Sequence, residues 1–178
     1  MAVSAAYILQ KRMMLLQELQ STASIFYQRI AEELNPLNLD YRSSVQVMPD
    51  LSSQRGHYLD LYEKNRHREM LLASTLVGPH KDDLGLLIGE NDSRFFASEG
   101  QMRSCAAALR LGEWERLFKA TGEKPLMLLD DVRTSLDEHR ALRLFSLFGS
   151  LGQLFITGTQ AENGFSGKLI QLMDGNRR

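Results

Sequence analysis

The chain has one cysteine, one tryptophan and four prolines in 178 residues. A single thiol, Cys105, excludes an intramolecular disulfide and fits a reducing, cytoplasmic setting. No apolar run approaches the roughly 20 residues that a membrane-spanning helix needs, so no membrane partner is expected. The small-residue start Met1-Ala2-Val3-Ser4-Ala5-Ala6 lacks a basic leader, and Gln10-Lys11-Arg12 interrupts it before an apolar signal core can form. Neither sign of charge dominates: 21 basic residues face 22 acidic ones. A near-neutral chain exerts no global pull on nucleic acid, so any DNA contact has to use a local patch. Internal repeats and low-complexity tracts are absent. The absence with the largest consequence is a phosphate loop. No Gly-x-x-x-x-Gly-Lys-Ser/Thr occurs. Gly167-Lys168 resembles its end, but Leu169 stands where a hydroxyl is needed and Glu162 where the first glycine should be. Without that loop the β- and γ-phosphates of a nucleotide have no cradle within this chain.

What is present reads as helices and short strands. Residues 5–34 carry apolar positions every three or four residues (Ile8, Leu9, Met13, Leu16, Leu19, Ala23, Phe26, Ile30) and predict one long helix, ended by Asn35-Pro36. It reads either as an amphipathic helix on the domain's own core or as part of a helical arm bearing a partner site. A helix starting almost at the first residue looks like a chain entered midway. Leu37 to Val47 predicts a strand or two, and Pro49-Asp50 with Ser52-Ser53 breaks the chain and can cap a second helix over about 54–74. That helix carries a small basic cluster, Lys64, Arg66 and Arg68, which reads as a solvated face or a DNA-backbone contact. Leu84 to Ile88 predicts a strand, Gly89 to Asp92 a turn, and Arg94 to Ala97 a returning strand. His80, Asp82 and Asp83 are metal-ligand types, but their spacing is too common to argue a site. Gln101 to Lys119 predicts a helix opened by Ser98 or Gly100 and stopped at Gly122, with Cys105 as a core thiol. Leu126–Leu129, a helix over Leu136–Phe148 and Gln153–Thr157 make a βαβ unit with a parallel sheet. Lys168 to Met173 predicts a last strand. An open sheet of this kind exposes an edge and an apolar face, and predicts an association-prone protein.

Two stretches carry chemistry. The apolar run Leu126-Met127-Leu128-Leu129 ends in Asp130-Asp131. A carboxylate at the end of a buried strand can hold Mg²⁺ beside phosphates, and the next residue can orient or deprotonate water. Ser98-Glu99-Gly100-Gln101 opens a helix, where outward N–H groups and the helix dipole favour an anion. Glycine lets the backbone approach closely. A Ser135-Leu136-Asp137 turn follows the acidic strand end. Each element alone is common; the three in this order are specific.

Together with Gly78-Pro79-His80-Lys81-Asp82-Asp83-Leu84, Ala97-Ser98-Glu99-Gly100-Gln101-Met102-Arg103, Leu128-Leu129-Asp130-Asp131-Val132 and Gln153-Leu154-Phe155-Ile156-Thr157, these stretches make the chain resemble the C-terminal half of the RecF family. Those recombination-repair ATPases are related to SMC proteins and Rad50 and have an ABC-type head. The resemblance implies an α/β fold: the C-terminal half of a P-loop NTPase head with parallel strands and an added helical arm. It implies a helical, lobe II-like region over 1–75 with a short strand segment, and an ATPase subdomain over 76–178. It implies that Ser98, Gly100 and Gln101 are the signature motif, reaching the γ-phosphate of ATP held by the opposite subunit of a homodimer. Asp130 would serve Mg²⁺, Asp131 would stand at the catalytic position, and Ser135 and Asp137 would lie in the D-loop at the dimer interface. The family binds DNA in an ATP-dependent way at gaps and stalled forks, and works with RecO and RecR to load RecA.

The chain departs from the pattern in three places. Its D-loop turn lacks the acidic residue usual after the serine. Gly158-Thr159-Gln160 stands near the family's switch position. The phosphate loop is absent. Two readings follow. In one the chain is part of an ATPase, active only when completed by a Walker A segment and dimerised. In the other it is a non-enzymatic module that docks DNA or a repair partner, with a vestigial nucleotide site. Arg103, just past the signature, is a candidate phosphate or DNA contact in either.

Overall fold

A 30-residue helix, α1 (Ala2–Ala31), organises the chain. At 1.5 Å per residue it is about 45 Å long. The computed structural model describes residues 1–130, 136–149, 151–158, 168 and 170. The buried positions of α1 fall into two groups that serve different clusters. Ala2, Ala5, Ala6 and Leu9 pack around Tyr58. Ala23, Tyr27, Ile30 and Ala31 enter the main core with Cys105, Ala108, Leu111, Trp114, Leu144 and Phe148. The helix stops short of the expected residue 34. Glu32 adopts a left-handed conformation, φ 56° and ψ 37°, and its N–H bonds back to the Gln28 carbonyl. A non-glycine residue there is uncommon, and it ends the hydrogen-bond ladder.

The strand expected over 37–47 is shorter, β1 (Leu37–Arg42). It pairs antiparallel with β2 (Asp83–Ile88), Leu37 opposite Ile88 and Arg42 opposite Asp83. Gln20 ties α1 to this sheet by donating to the Leu37 carbonyl (2.9 Å) and accepting from the Leu39 N–H (2.7 Å). After Arg42 the chain leaves the ladder because side chains claim its polar groups. The buried Asp82 carboxylate takes the Ser44 N–H and hydroxyl, and the Gln54 amide takes Met48 N–H and Gln46 carbonyl. The second helix, α2 (Leu51–Leu72), starts earlier than expected. Its cap is Asp50, which accepts from the Ser53 N–H at 2.9 Å. Those hydrogen bonds hold the Asp50 carboxyl below its ordinary range. Of the α2 side chains only Gln54 and Tyr58 are buried.

The returning strand expected over 94–97 is replaced. A two-residue strand, β3 (Asn91–Asp92), pairs with the end of β2, and a single helical turn, α3 (Ser93–Phe96), follows. Asp92 explains the change. Its carboxylate caps the turn by accepting from the Arg94 N–H at 2.9 Å and also binds Arg42 at 2.7 Å. Phe95 and Phe96 both point to solvent, so no alternation buries one face of a strand.

Helix α4 (Glu99–Thr121) packs along α1 and ends at Gly122, φ 73°, as its sequence predicts. Trp114 donates its indole N–H to the Pro125 carbonyl at 2.8 Å. Strand β4 (Met127–Leu129), helix α5 (Glu138–Phe148) and strand β5 (Leu154–Ile156) form the expected unit, with β4 and β5 parallel and Leu128 opposite Phe155. Met127, Leu129 and Leu154 pack on the core. Leu128 and Phe155 face outward and are exposed. Parallel sheets are ordinarily covered on both faces; among the described residues, Leu128 and Phe155 leave this one exposed. Of the strand expected over 168–173 only Lys168 and Ile170 are described, and it lies outside the described residues.

Gly112 of α4 lies against Ala23 and Leu19 of α1. A methyl group there would sit 3.5 Å from the Ala23 backbone nitrogen, an ordinary contact. Glycine inside a helix costs roughly 0.5–1 kcal/mol relative to alanine. Gly112→Ala is therefore expected to stabilise the chain by about that amount in chemical denaturation, and a loss of stability would contradict this packing.

Candidate functional site

The start of α4 is built by reciprocal hydrogen bonds. Ser98 caps the helix, its hydroxyl accepting from the Gln101 N–H at 3.2 Å, while the Gln101 side-chain oxygen accepts from the Ser98 N–H at 2.8 Å. This capping box leaves the N–H groups of Glu99 and Gly100 without intrahelical acceptors, since a helix cannot satisfy its own first turn. Unsatisfied N–H groups at a helix start are what an anion binds.

The turn before α5 arrives at the same place. Asp137 caps α5 by accepting from the Arg140 N–H at 2.9 Å. That bond, with the nearby Arg140 guanidinium, holds the Asp137 carboxyl below its ordinary range. A side chain at Gly100 would begin 3.5 Å from the Arg140 guanidinium and 3.8 Å from an Asp137 oxygen. The structure thus brings Ser98, Gly100, Gln101 and Asp137 together from two separated segments.

Sequence reasoning missed the residues that join them. Glu33, just past α1, accepts from the Gln101 amide at 3.0 and 3.1 Å, from Arg140 at 3.1 Å and from the Tyr27 hydroxyl at 3.0 Å. Arg140 also donates to the Ser104 hydroxyl at 3.2 Å and to Asp137 at 3.1 Å. Ser104 in turn donates to the Gly100 carbonyl at 2.8 Å. Burial first, then the bond to Glu33, pushes the Tyr27 hydroxyl pKa up. Burial likewise pushes the Cys105 thiol to about 12, which fits the core thiol expected. A signal for Glu33 was available: two consecutive glutamates at a helix C-terminus oppose the helix dipole, so they need another partner. Here Glu32 pairs with Arg143 and Glu33 with Arg140, both on α5.

Asp130 belongs to a second locus, at the exit of β4. Thr157, at the exit of the parallel neighbour β5, donates its hydroxyl to Asp130 Oδ1, and its N–H bonds the Leu129 carbonyl at 2.9 Å. The Asp130 side chain is exposed. An exposed carboxylate with one oxygen anchored by a hydroxyl suits Mg²⁺, which takes hard oxygen ligands from one or two carboxylates and phosphate. Among the described residues no group of three His, Cys, Asp or Glu could hold a metal by itself. Asp131, Ser135 and Gln160 lie outside the described residues.

The other candidates have structural partners. The Asp82 side chain is fully buried and accepts from the Tyr41 hydroxyl and Ser44. Asp83 pairs with Arg94 at 2.7 Å, and His80 meets the Thr75 carbonyl at 3.2 Å. These three do not converge on a cation. Arg103 pairs with Glu99 one turn away. No described helix is long and apolar enough to cross a membrane.

No family model matches the chain. It is 42% identical over 160 residues to the DNA replication and repair protein RecF of Protochlamydia amoebophila (strain UWE25), covering 89% of this chain and 45% of that protein. It is 35% identical over 159 residues to the protein of the same name from Bacillus cereus (strain B4264), covering 88% and 42%. Two solved structures of the recombination mediator protein RecF in the RecFOR pathway, RecF-ATPrS and RecF-ATP, superpose with a TM-score of 0.74 at 32% and 30% identity. Each match covers 90% of this chain and 43% of that one. The chain spans less than half the length of the curated relatives it matches. At this similarity the α/β fold with parallel strands is that of the RecF structures.

Proposed function

Taking this chain as a homologue of the RecF proteins over nearly all of its length, we propose that it forms part of an ATP-dependent DNA-binding protein of recombination, repair and replication maintenance. In this reading it supplies the lid of a nucleotide site whose phosphate loop lies on another segment. Ser98 and Gly100 offer a helix N-terminus to the γ-phosphate across a homodimer, with Gln101 beside them. Asp130 holds Mg²⁺, and Asp131 orients or deprotonates the attacking water. Ser135 and Asp137 sit where the two subunits meet. Residues 76–178 act as the ATPase subdomain and 1–75 as the helical, lobe II-like region. DNA at gaps and junctions is the substrate, with RecO and RecR as partners in loading RecA.

The observation that carries this reading is the meeting of Gly100 and Asp137 within contact distance of one guanidinium. Two further features support it. The face with exposed Leu128 and Phe155 suits a further layer of structure. Lys64 and Arg68, exposed one turn apart on α2, offer a local basic pair to a DNA backbone, with Arg66 on another face of the helix.

The test is to mix this chain with a separately produced Walker A segment of a RecF protein. The expected result is Mg²⁺-dependent ATP hydrolysis that Asp131→Asn lowers by about 100-fold or more. The chain alone should show none. Binding of DNA or RecR with no hydrolysis in the mixture would instead support a docking module.

A further inference from the structure

Glu33 and Arg140 have no part in the motifs that suggested the site, yet both lie at its centre. We infer that they are a positioning pair that fixes the first turn of α4 against the Asp137 turn; the inference rests on the nucleotide-site reading above.

The argument begins with Gln101. Its side-chain oxygen is taken by the Ser98 N–H, and its nitrogen lies within 3.1 Å of both Glu33 oxygens. The amide therefore braces the helix start against the residue that follows α1. Arg140 does the same from the other side. Its three nitrogens go to three segments: Nη2 to Glu33, Nη1 to Ser104 on α4, and Nε to Asp137. A planar guanidinium presents these donors in a fixed fork, which an ammonium cannot copy.

Electrostatics alone does not explain the arginine. A cation beside a helix N-terminus is disfavoured by the dipole. The carboxylates of Glu33 and Asp137 offset that cost, so what the arginine adds is geometry. The pair is also unlike an ordinary surface ion pair. The side chains of Arg140 and Glu33 are only 16% and 24% exposed, and the groups they connect are 107 residues apart. Glu33 reaches this position because Glu32 turns left-handed and ends α1 there. Gly100 lies beside the pair: a Cβ there would be in ordinary contact with the Arg140 guanidinium, at 3.5 Å.

The test compares Glu33→Gln, Arg140→Lys and Arg140→Met. The first readout is backbone amide exchange in this chain alone. Gln101 and Arg140 report the site, their N–H groups bonding Ser98 and Asp137. Met127 and Thr157, in the β4–β5 region, are controls. Arg140→Lys is expected to speed exchange at Gln101 and Arg140 by about fivefold or more while the controls change by less than about twofold. Lysine keeps the charge, so rescue by lysine would overturn the pair as a geometric device. Uniform acceleration would reduce it to a fold-stabilising contact and overturn it equally. The second readout is hydrolysis by the mixture with the Walker A segment. Each variant is expected to lower kcat by about tenfold or more with the KM for ATP nearly unchanged. Unchanged kcat in a mixture that hydrolyses ATP overturns the inference. If the unmodified chain yields no hydrolysis, the nucleotide reading fails, and the exchange experiment alone decides whether the pair holds the two segments.

Discussion

Gly100→Val should lower ATP hydrolysis by the mixture of this chain with a Walker A segment by about 100-fold or more. The reason is spatial. A Cβ at residue 100 would already lie 3.5 Å from Arg140 Nη1 and 3.8 Å from Asp137 Oδ2. One methyl group fits at those distances, so Gly100→Ala should lose less. The branched methyls of valine have to displace the guanidinium, the carboxylate or the incoming phosphate. They also shield the N–H groups of residues 99 and 100, which the helix itself leaves unsatisfied. Thermal unfolding should change little, because residue 100 sits in the first turn of α4 and outside both hydrophobic clusters. Full activity in the valine variant would show that nothing approaches α4 at Gly100.

Leu111→Ala should be a strongly damaging core truncation. Leu111 is 1% exposed in the cluster that joins α1, α4 and α5. Removing a buried leucine side chain costs about 2–5 kcal/mol through lost burial and the cavity left behind. For a chain of this size each kcal/mol lowers the unfolding midpoint by roughly 2–4 °C. A drop of roughly 4–20 °C is therefore expected by calorimetry. A loss below about 1 kcal/mol would mean that α1 and α4 do not share one close-packed core. The same experiment bears on function, since Tyr27 and Ile30 of that core lie just before Glu33.

Much of this architecture was legible because local signals agreed with one another. The periodicity of α1 and α4, the Ser98 cap with Gln101 three residues on, Gly122 as a stop and the short apolar run before Asp130 each act within a few residues. The structure has each of them. The errors fall where a side chain from a distant segment decides. Asp92 turned the expected strand over 94–97 into a helical turn because Arg42, fifty residues earlier in sequence, binds its other oxygen. The strand from Leu37 stopped at Arg42 because Asp82 and Gln54 captured the backbone beyond it. The glutamate pair at the end of α1 signalled that Glu33 needs a partner, but which partner was hidden for the same kind of reason. Its role depends on the left-handed turn at Glu32 and on Arg140 in another helix. No window of sequence contains both.

The most direct test of the lid itself is association measured by analytical ultracentrifugation. This chain is mixed with the Walker A segment, Mg²⁺ and a non-hydrolysable ATP analogue. A lid that closes over the γ-phosphate predicts a complex that forms with the analogue, weakens by about tenfold or more with ADP, and is lost in Gly100→Val. A complex of equal affinity with either nucleotide, unaffected by valine at residue 100, would contradict it.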